Sequence, residues 1–116
     1  MKKLFVALAL LTALAIPVAA VGADLHNGVG SSCAPDIGVF HFVNNQTGGA
    51  AAGSITVTFD NGDVVTTGPS KVNQHTQHFI VESDGALETA ETNLPGRLVL
   101  SDFSCEGDGK NPPPKK

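Results

Sequence analysis

Ser54-Ile55-Thr56-Val57-Thr58-Phe59-Asp60-Asn61-Gly62-Asp63-Val64-Val65-Thr66-Thr67 is the stretch whose reading decides the fold. Ile55, Val57 and Phe59 alternate with Ser54, Thr56, Thr58 and Asp60. That period of two sends apolar side chains to one face of a strand and polar ones to the other. Asn61-Gly62 is the dipeptide that best tolerates the two positive φ angles of a type I′ turn, whose twist matches that of paired strands. The stretch therefore predicts a β-hairpin with one face in a core and the other in water.

Outward from the hairpin, the same punctuation continues. Residues 38–44 predict a strand with Phe40 and Phe42 facing the core, followed by a loop of small and turn residues over 45–53. Gly68-Pro69-Ser70 ends the hairpin, and a longer strand is expected from Lys71 to Glu82, with Phe79-Ile80-Val81 as its apolar end. Ser83-Asp84-Gly85 and Asn93-Leu94-Pro95-Gly96 bracket a strand over 87–92, and residues 97–105 supply the last one. No segment after the N-terminal apolar run shows sustained helical periodicity. Six or seven short strands with these turns predict an all-β, antiparallel sandwich, with a small barrel as the alternative.

The two ends of the chain read differently from its middle. Met1-Lys2-Lys3, an apolar run over 4–16 broken only by Thr12, and small residues ending in Val21-Gly22-Ala23 have the three regions of a secretory signal peptide. Cleavage is expected after Ala23, with a second site after Val18-Ala19-Ala20. The apolar run is shorter than the roughly 20 residues that span a bilayer and ends at Pro17, which argues against an anchor. The domain organisation is then a signal peptide over 1–23, a sandwich domain over 24–105 and a disordered or polyproline tail over 106–116 that carries Pro112-Pro113-Pro114. A domain of about 80 to 90 ordered residues has only a marginally sufficient core.

Composition excludes whole classes of function. The chain holds 7 Lys and Arg against 11 Asp and Glu, and loss of Lys2 and Lys3 with the leader takes the formal charge from −4 to −6. Between Asp24 and Cys105 the basic residues are Lys71 and Arg97 alone, too few to displace counterions from a nucleic acid. The same deficit disfavours anionic membrane surfaces. Neither Trp nor Tyr occurs, so the rings that usually stack on sugars or bases are missing. Cys33 and Cys105 are an even count in a secreted chain and predict one structural disulfide; a reactive pair would need closer spacing.

The residues able to carry chemistry are few. His75 and His78, with His41 and His26 as further ligands, raise a metal reading, but residues three apart on a regular strand point to opposite faces. Asp60, Asn61 and Asp63 lack the remaining ligands of a calcium loop. Ser31 and Ser32 sit in no nucleophile elbow, and Glu82, Asp84, Glu88 and Glu91 form a loose acidic group best read as solvated. No cofactor is expected.

His41-Phe42-Val43 with Asn45-Gln46, Lys71-Val72 leading to His78-Phe79, and Leu98-Val99-Leu100-Ser101 before Cys105 resemble immunoglobulin-like repeat domains of bacterial surface and secreted proteins. The resemblance implies an immunoglobulin-like sandwich acting as a spacer or adhesive module, with no catalytic residues. The chain departs from it in having a single copy and no Trp between the cysteines. The expected function is a secreted, non-enzymatic binding module for an extracellular protein or cell-surface component. The alternative is a metal-dependent protein or hydrolase using His41, His75 and His78. Asn73-Gln74-His75-Thr76-Gln77-His78 is an unbroken polar run inside an expected strand, so Gln74, Thr76 and Gln77 are the expected partner-binding residues. A polar edge strand that resists aggregation explains the same run.

Overall fold

The alternation over 54–60 builds one wall of the core. In a computed structural model, described here over residues 22–106, the chain forms β1 (Gly38–Asn45), β2 (Ile55–Phe59), β3 (Val64–Thr67), β4 (Lys71–Val72), β5 (Thr76–Ser83), β6 (Leu87–Thr92) and β7 (Arg97–Cys105). Residues 1–21 of the expected leader, and the expected tail beyond Glu106, lie outside the described residues. The strands make two antiparallel sheets, ordered β4-β5-β1-β7 and β3-β2-β6. No helix occurs among the described residues, and the chain is all-β with one Cys33–Cys105 disulfide.

The sheets face each other across a shared core. Phe40 and Phe42 of β1, Phe79 and Val81 of β5, and Leu98 of β7 meet Ile55, Val57 and Phe59 of β2 and Leu87 and Ala90 of β6. Phe40 is the hub: its ring centroid lies 5.1 Å from that of Phe59 across the sandwich and 4.8 Å from that of Phe103. Each buried ring contributes about 1.5–3 kcal/mol from burial, and each tilted pair about 0.5–1.5 kcal/mol more. The polar partners Thr56 and Thr58 lie on the outer face of β2, as the alternation requires.

Two local features differ from the sequence reading, each for a visible reason. The turn after β2 is a three-residue loop rather than a type I′ pair, since Gly62 has a positive φ of 96° and Asn61 does not. The Gly62 N–H donates to the Phe59 carbonyl at 3.1 Å, and the Phe59 N–H donates to the Asp63 carbonyl at 2.9 Å. Side chains set this choice. Asn61 Oδ1 accepts from the Asp63 N–H at 2.9 Å, and Asn61 Nδ2 donates to Asp84 Oδ1 at 2.7 Å. Asp60 holds the next turn through Ala86, whose N–H donates to Asp60 Oδ1 at 2.9 Å. The expected long strand over 71–82 is likewise divided: β4 and β5 form a hairpin, with Lys71 opposite His78 and Val72 opposite Gln77. Asn73 closes it, its N–H donating to the Thr76 carbonyl at 2.8 Å and its Nδ2 to Thr76 Oγ1 at 3.1 Å.

β6 and β7 belong to different sheets, and residues 22–31 run between their edges. Asp24 bridges to Glu91, and Leu25 bridges in parallel to Leu98. Along β6, the Leu25 N–H donates to Ala90 at 2.9 Å, Gly30 to Leu87 at 2.8 Å, and Leu87 back to Ser31 at 3.0 Å. Along β7, the Asn27 amide pairs with both backbone groups of Leu100, at 3.1 and 3.0 Å. The disulfide follows directly after this segment and joins it to the end of β7, with a sequence separation of 72. Closing a loop of that length contributes about 4 kcal/mol in the chain-entropy model.

Ala23 belongs to this segment. It is buried, its N–H donates to Leu94 at 3.0 Å, and its carbonyl accepts from Thr92 at 2.9 Å. Ala23 thus bonds through both backbone groups to the end of β6 and the turn that follows it. A chain beginning at Val21, as cleavage after Ala20 would leave it, keeps both hydrogen bonds, and one beginning at Asp24 loses both. The chain starting at Asp24 is expected to be less stable by roughly 2 kcal/mol in urea denaturation; equal midpoints would show that Gly22 and Ala23 add nothing.

Candidate functional site

The register of β1 against β5 and β7, with Asn45 opposite both Thr76 and Arg97, brings three connections to one end of the sandwich. They are the β1–β2 loop over 46–54, the β4–β5 turn over 73–75 and the β6–β7 turn over 93–96. Hydrogen bonds join the first two. The Thr47 N–H donates to the His75 carbonyl at 3.1 Å and the Gly49 N–H to the Gln74 carbonyl at 2.8 Å. The third is tied to β1 by Asn44, whose Nδ2 donates to the Pro95 carbonyl at 2.8 Å and whose Oδ1 accepts from Thr92 Oγ1. Gly96 sits at φ 102°, where an added Cβ would come within 1.9 Å of the Asn45 carbonyl oxygen, so this close approach requires glycine.

Gln77, expected to bind a partner, is buried instead. It is 0% exposed, and its amide is fully engaged with the β1–β2 loop. Its Oε1 accepts from the Gly53 N–H at 2.9 Å, while Nε2 donates to the Ala50 and Ala51 carbonyls at 3.2 and 3.0 Å. Its role is to hold that loop, which corrects the sequence reading for this residue. The polar run misled because β5 carries an amide at a core-facing position: Gln77 points inward with Phe79 and Val81. Gln74 is exposed at the turn, and Thr76 is half-buried with its hydroxyl accepting from Asn73.

The three loops at this end carry no charged side chain, and Arg97 at the start of β7 is exposed beside them. Gln46, Asn73, Gln74 and His75 are exposed, and Gln46 is held at φ 60°, a left-handed conformation that a glutamine seldom adopts. Next to it, Thr47 is buried, and its Oγ1 has no hydrogen-bond partner among the described residues. Strain and an unsatisfied hydroxyl in adjacent residues mark a backbone held by its surroundings rather than by local preference.

The histidines lie in three places. His41 and His78 meet on the outer face of the four-stranded sheet, with Nε2 of His41 3.0 Å from Nδ1 of His78. His75 lies in the turn and His26 in the N-terminal segment. Burial, with smaller contributions from His41 and Lys71, lowers the His78 pKa below its ordinary value of 6.5. The pair is thus a hydrogen bond between imidazoles that favours a neutral His78. Sequence gives no signal for it, since the two residues are diagonal neighbours across a strand pair and separated by 37 positions.

The acidic residues are scattered. Glu82 lies on the outer face of β5, Asp84 accepts from Asn61, and Glu88 and Glu91 line a groove of about 390 Å³ with Thr56 and Thr58 on the other sheet. Among the described residues, no group of three or more His, Cys, Asp or Glu side chains is placed to hold a metal ion. No family model matches this chain, and no curated protein or solved structure does.

Two measurements check these assignments. Replacing Gln77 by Ala leaves one N–H and two carbonyls without their partner, and is expected to cost roughly 3 to 5 kcal/mol in denaturant unfolding, whereas Gln74→Ala costs under about 0.5 kcal/mol. A His78 pKa lowered in the folded state means that the unfolded chain binds the extra proton first as pH falls. Stability then decreases as pH drops through about 6.5, until folded His78 also protonates. Melting between pH 8 and 5 in chelator is expected to show a smaller decrease for His78→Gln than for the unaltered chain. A ring titration of His78 by NMR at or above 6.5 would contradict the assignment.

Proposed function

We propose that this protein is a secreted, non-enzymatic β-sandwich that binds an extracellular protein or cell-surface component. The observation that carries the reading is the loop end, where exposed amides surround Gln46 at φ 60° on a loop pinned from below by Gln77. A surface held in advance by buried hydrogen bonds loses little conformational freedom on binding. Amide and imidazole groups without formal charge suit recognition of polar main-chain or hydroxyl groups. The disulfide fits an oxidising compartment, and the leader-like N-terminus agrees with export.

An immunoglobulin-like lineage is part of the proposal. Taking β1 to β7 as strands B, C, C′, D, E, F and G, the groupings D-E-B and C′-C-F are those of immunoglobulin sheets. The departure is β7, which lies beside β1 rather than beside β6, and the disulfide, which ends on β7 rather than joining B to F.

Affinity capture from the envelope and surroundings of the producing cells, using the tagged protein and a Gln46→Ala, Gln74→Ala, His75→Ala variant, tests the proposal. The variant is expected to melt within about 2 °C of the unaltered protein, as surface changes do, and to lose the captured component. Capture that survives the triple change would move the binding surface away from this end.

A further inference from the structure

We propose that His41 and His78 form a binding site for a divalent transition-metal cation, Cu2+ in preference to Zn2+, held by two imidazoles with water completing the shell. The site lies on the outer face of β1 and β5, apart from the loop end, and does not depend on the function proposed above.

The geometry is the first argument. The two facing nitrogens are 3.0 Å apart. Two ligands at about 2.0 Å from one ion stand roughly 2.8 Å apart at a right angle and roughly 3.3 Å apart at a tetrahedral angle. The observed separation falls between these values, so the strands hold the two nitrogens at a distance that a chelate can use once the rings rotate. With ring centroids 5.2 Å apart, the nitrogens point nearly head-on, as a shared proton requires. Both rings must swing outward to direct their lone pairs at one ion. Both side chains are half-buried on an open sheet face, so there is room for that swing and for water at the remaining positions.

Chemistry selects the cation. Imidazole is a borderline ligand that suits copper and zinc, and Cu2+ binds such nitrogens more tightly than Zn2+ in the general order of divalent ions. A near-right-angle bite with water at the other equatorial positions also favours the tetragonal preference of Cu2+ over a tetrahedral centre. The backbone contributes rigidity. β1 is the inner strand between β5 and β7, so neither histidine sits on a loop. Of the charged groups nearby, Lys71 is the register partner of His78 and opposes a cation, while Asp102 is the register partner of His41 and favours one. Asp102 Oδ1 accepts from the Phe103 N–H at 2.9 Å, which orients its carboxylate without using both oxygens.

The test is titration of the purified protein with Cu2+ and, separately, Zn2+ by isothermal calorimetry, with His41→Gln, His78→Gln, His26→Gln and His75→Gln in parallel. One Cu2+ per chain is expected, bound at least ten-fold more tightly than Zn2+. His41→Gln and His78→Gln should each weaken Cu2+ binding at least ten-fold, and the other two variants should leave it unchanged. Loss of binding in His26→Gln or His75→Gln with retention in His41→Gln would place the ion elsewhere and overturn the proposal, as would no binding at all. Should either site variant fail to fold, the ring resonances of the unaltered protein decide. Zn2+ must shift the His41 and His78 signals together and leave those of His26 and His75 in place; any other pattern overturns the assignment.

Discussion

The contact between Phe40 and Phe59 is the one on which the two sheets depend. Phe40 lies within β1 and Phe59 ends β2, and both side chains are buried on the inner faces of their sheets. Phe40 also touches Phe42 and Phe103, and through them the packing reaches β7 and the end that carries the disulfide. In so small a domain a single hub of this kind decides the relative placement of everything else. The outer-face histidines and the loop end are positioned by strands whose inward residues meet at that ring.

A closed sandwich needs more than a core. Because β6 and β7 lie in different sheets, that side would be open but for residues 22–31, which bond to both edges. At the opposite end from the uncharged loops, Asp60, Asn61, Asp63, Ser83 and Asp84 join the β2–β3 and β5–β6 connections through side-chain hydrogen bonds. One end is thus knitted by charged groups and closed by the disulfide, while the other exposes amides. The division leaves the loop end free of structural carboxylates.

Much of the architecture was legible because burial imposes a period of two. Residues 87–92 and 97–105 were read at their observed limits, the arm read over 54–60 holds the strand 55–59, and Phe40, Phe42 and Phe59 face inward as expected. What escaped was decided by side-chain hydrogen bonds rather than by periodicity. Asn73 folds a polar run into a hairpin, Asn61 is engaged by Asp63 and Asp84 and so leaves the type I′ geometry, and Gln77 occupies a core position that polarity alone assigns to water. The site was legible only in part. Gln74 is exposed where the reading placed it, but Gln46 was passed over because positive φ in a glutamine leaves no trace in composition. The His41–His78 pair required strand register, which depends on every turn between the two residues.

The β7 strand carries one further consequence through its irregularity. Between His41 and Phe42 the register shifts from Asp102 to Leu100, leaving Ser101 as an extra residue on an edge strand. A bulge there twists the edge and breaks the regular row of donors and acceptors that another chain would need to pair with it. Upstream of the bulge the same edge is occupied by Leu25 and Asn27, the β6 edge is bonded by Asp24, Leu25 and Gly30, and the two other edges belong to β3, four residues long, and β4, two residues long. No edge among the described residues therefore offers a long, flat template for strand addition, the feature by which sheets invite edge-to-edge pairing.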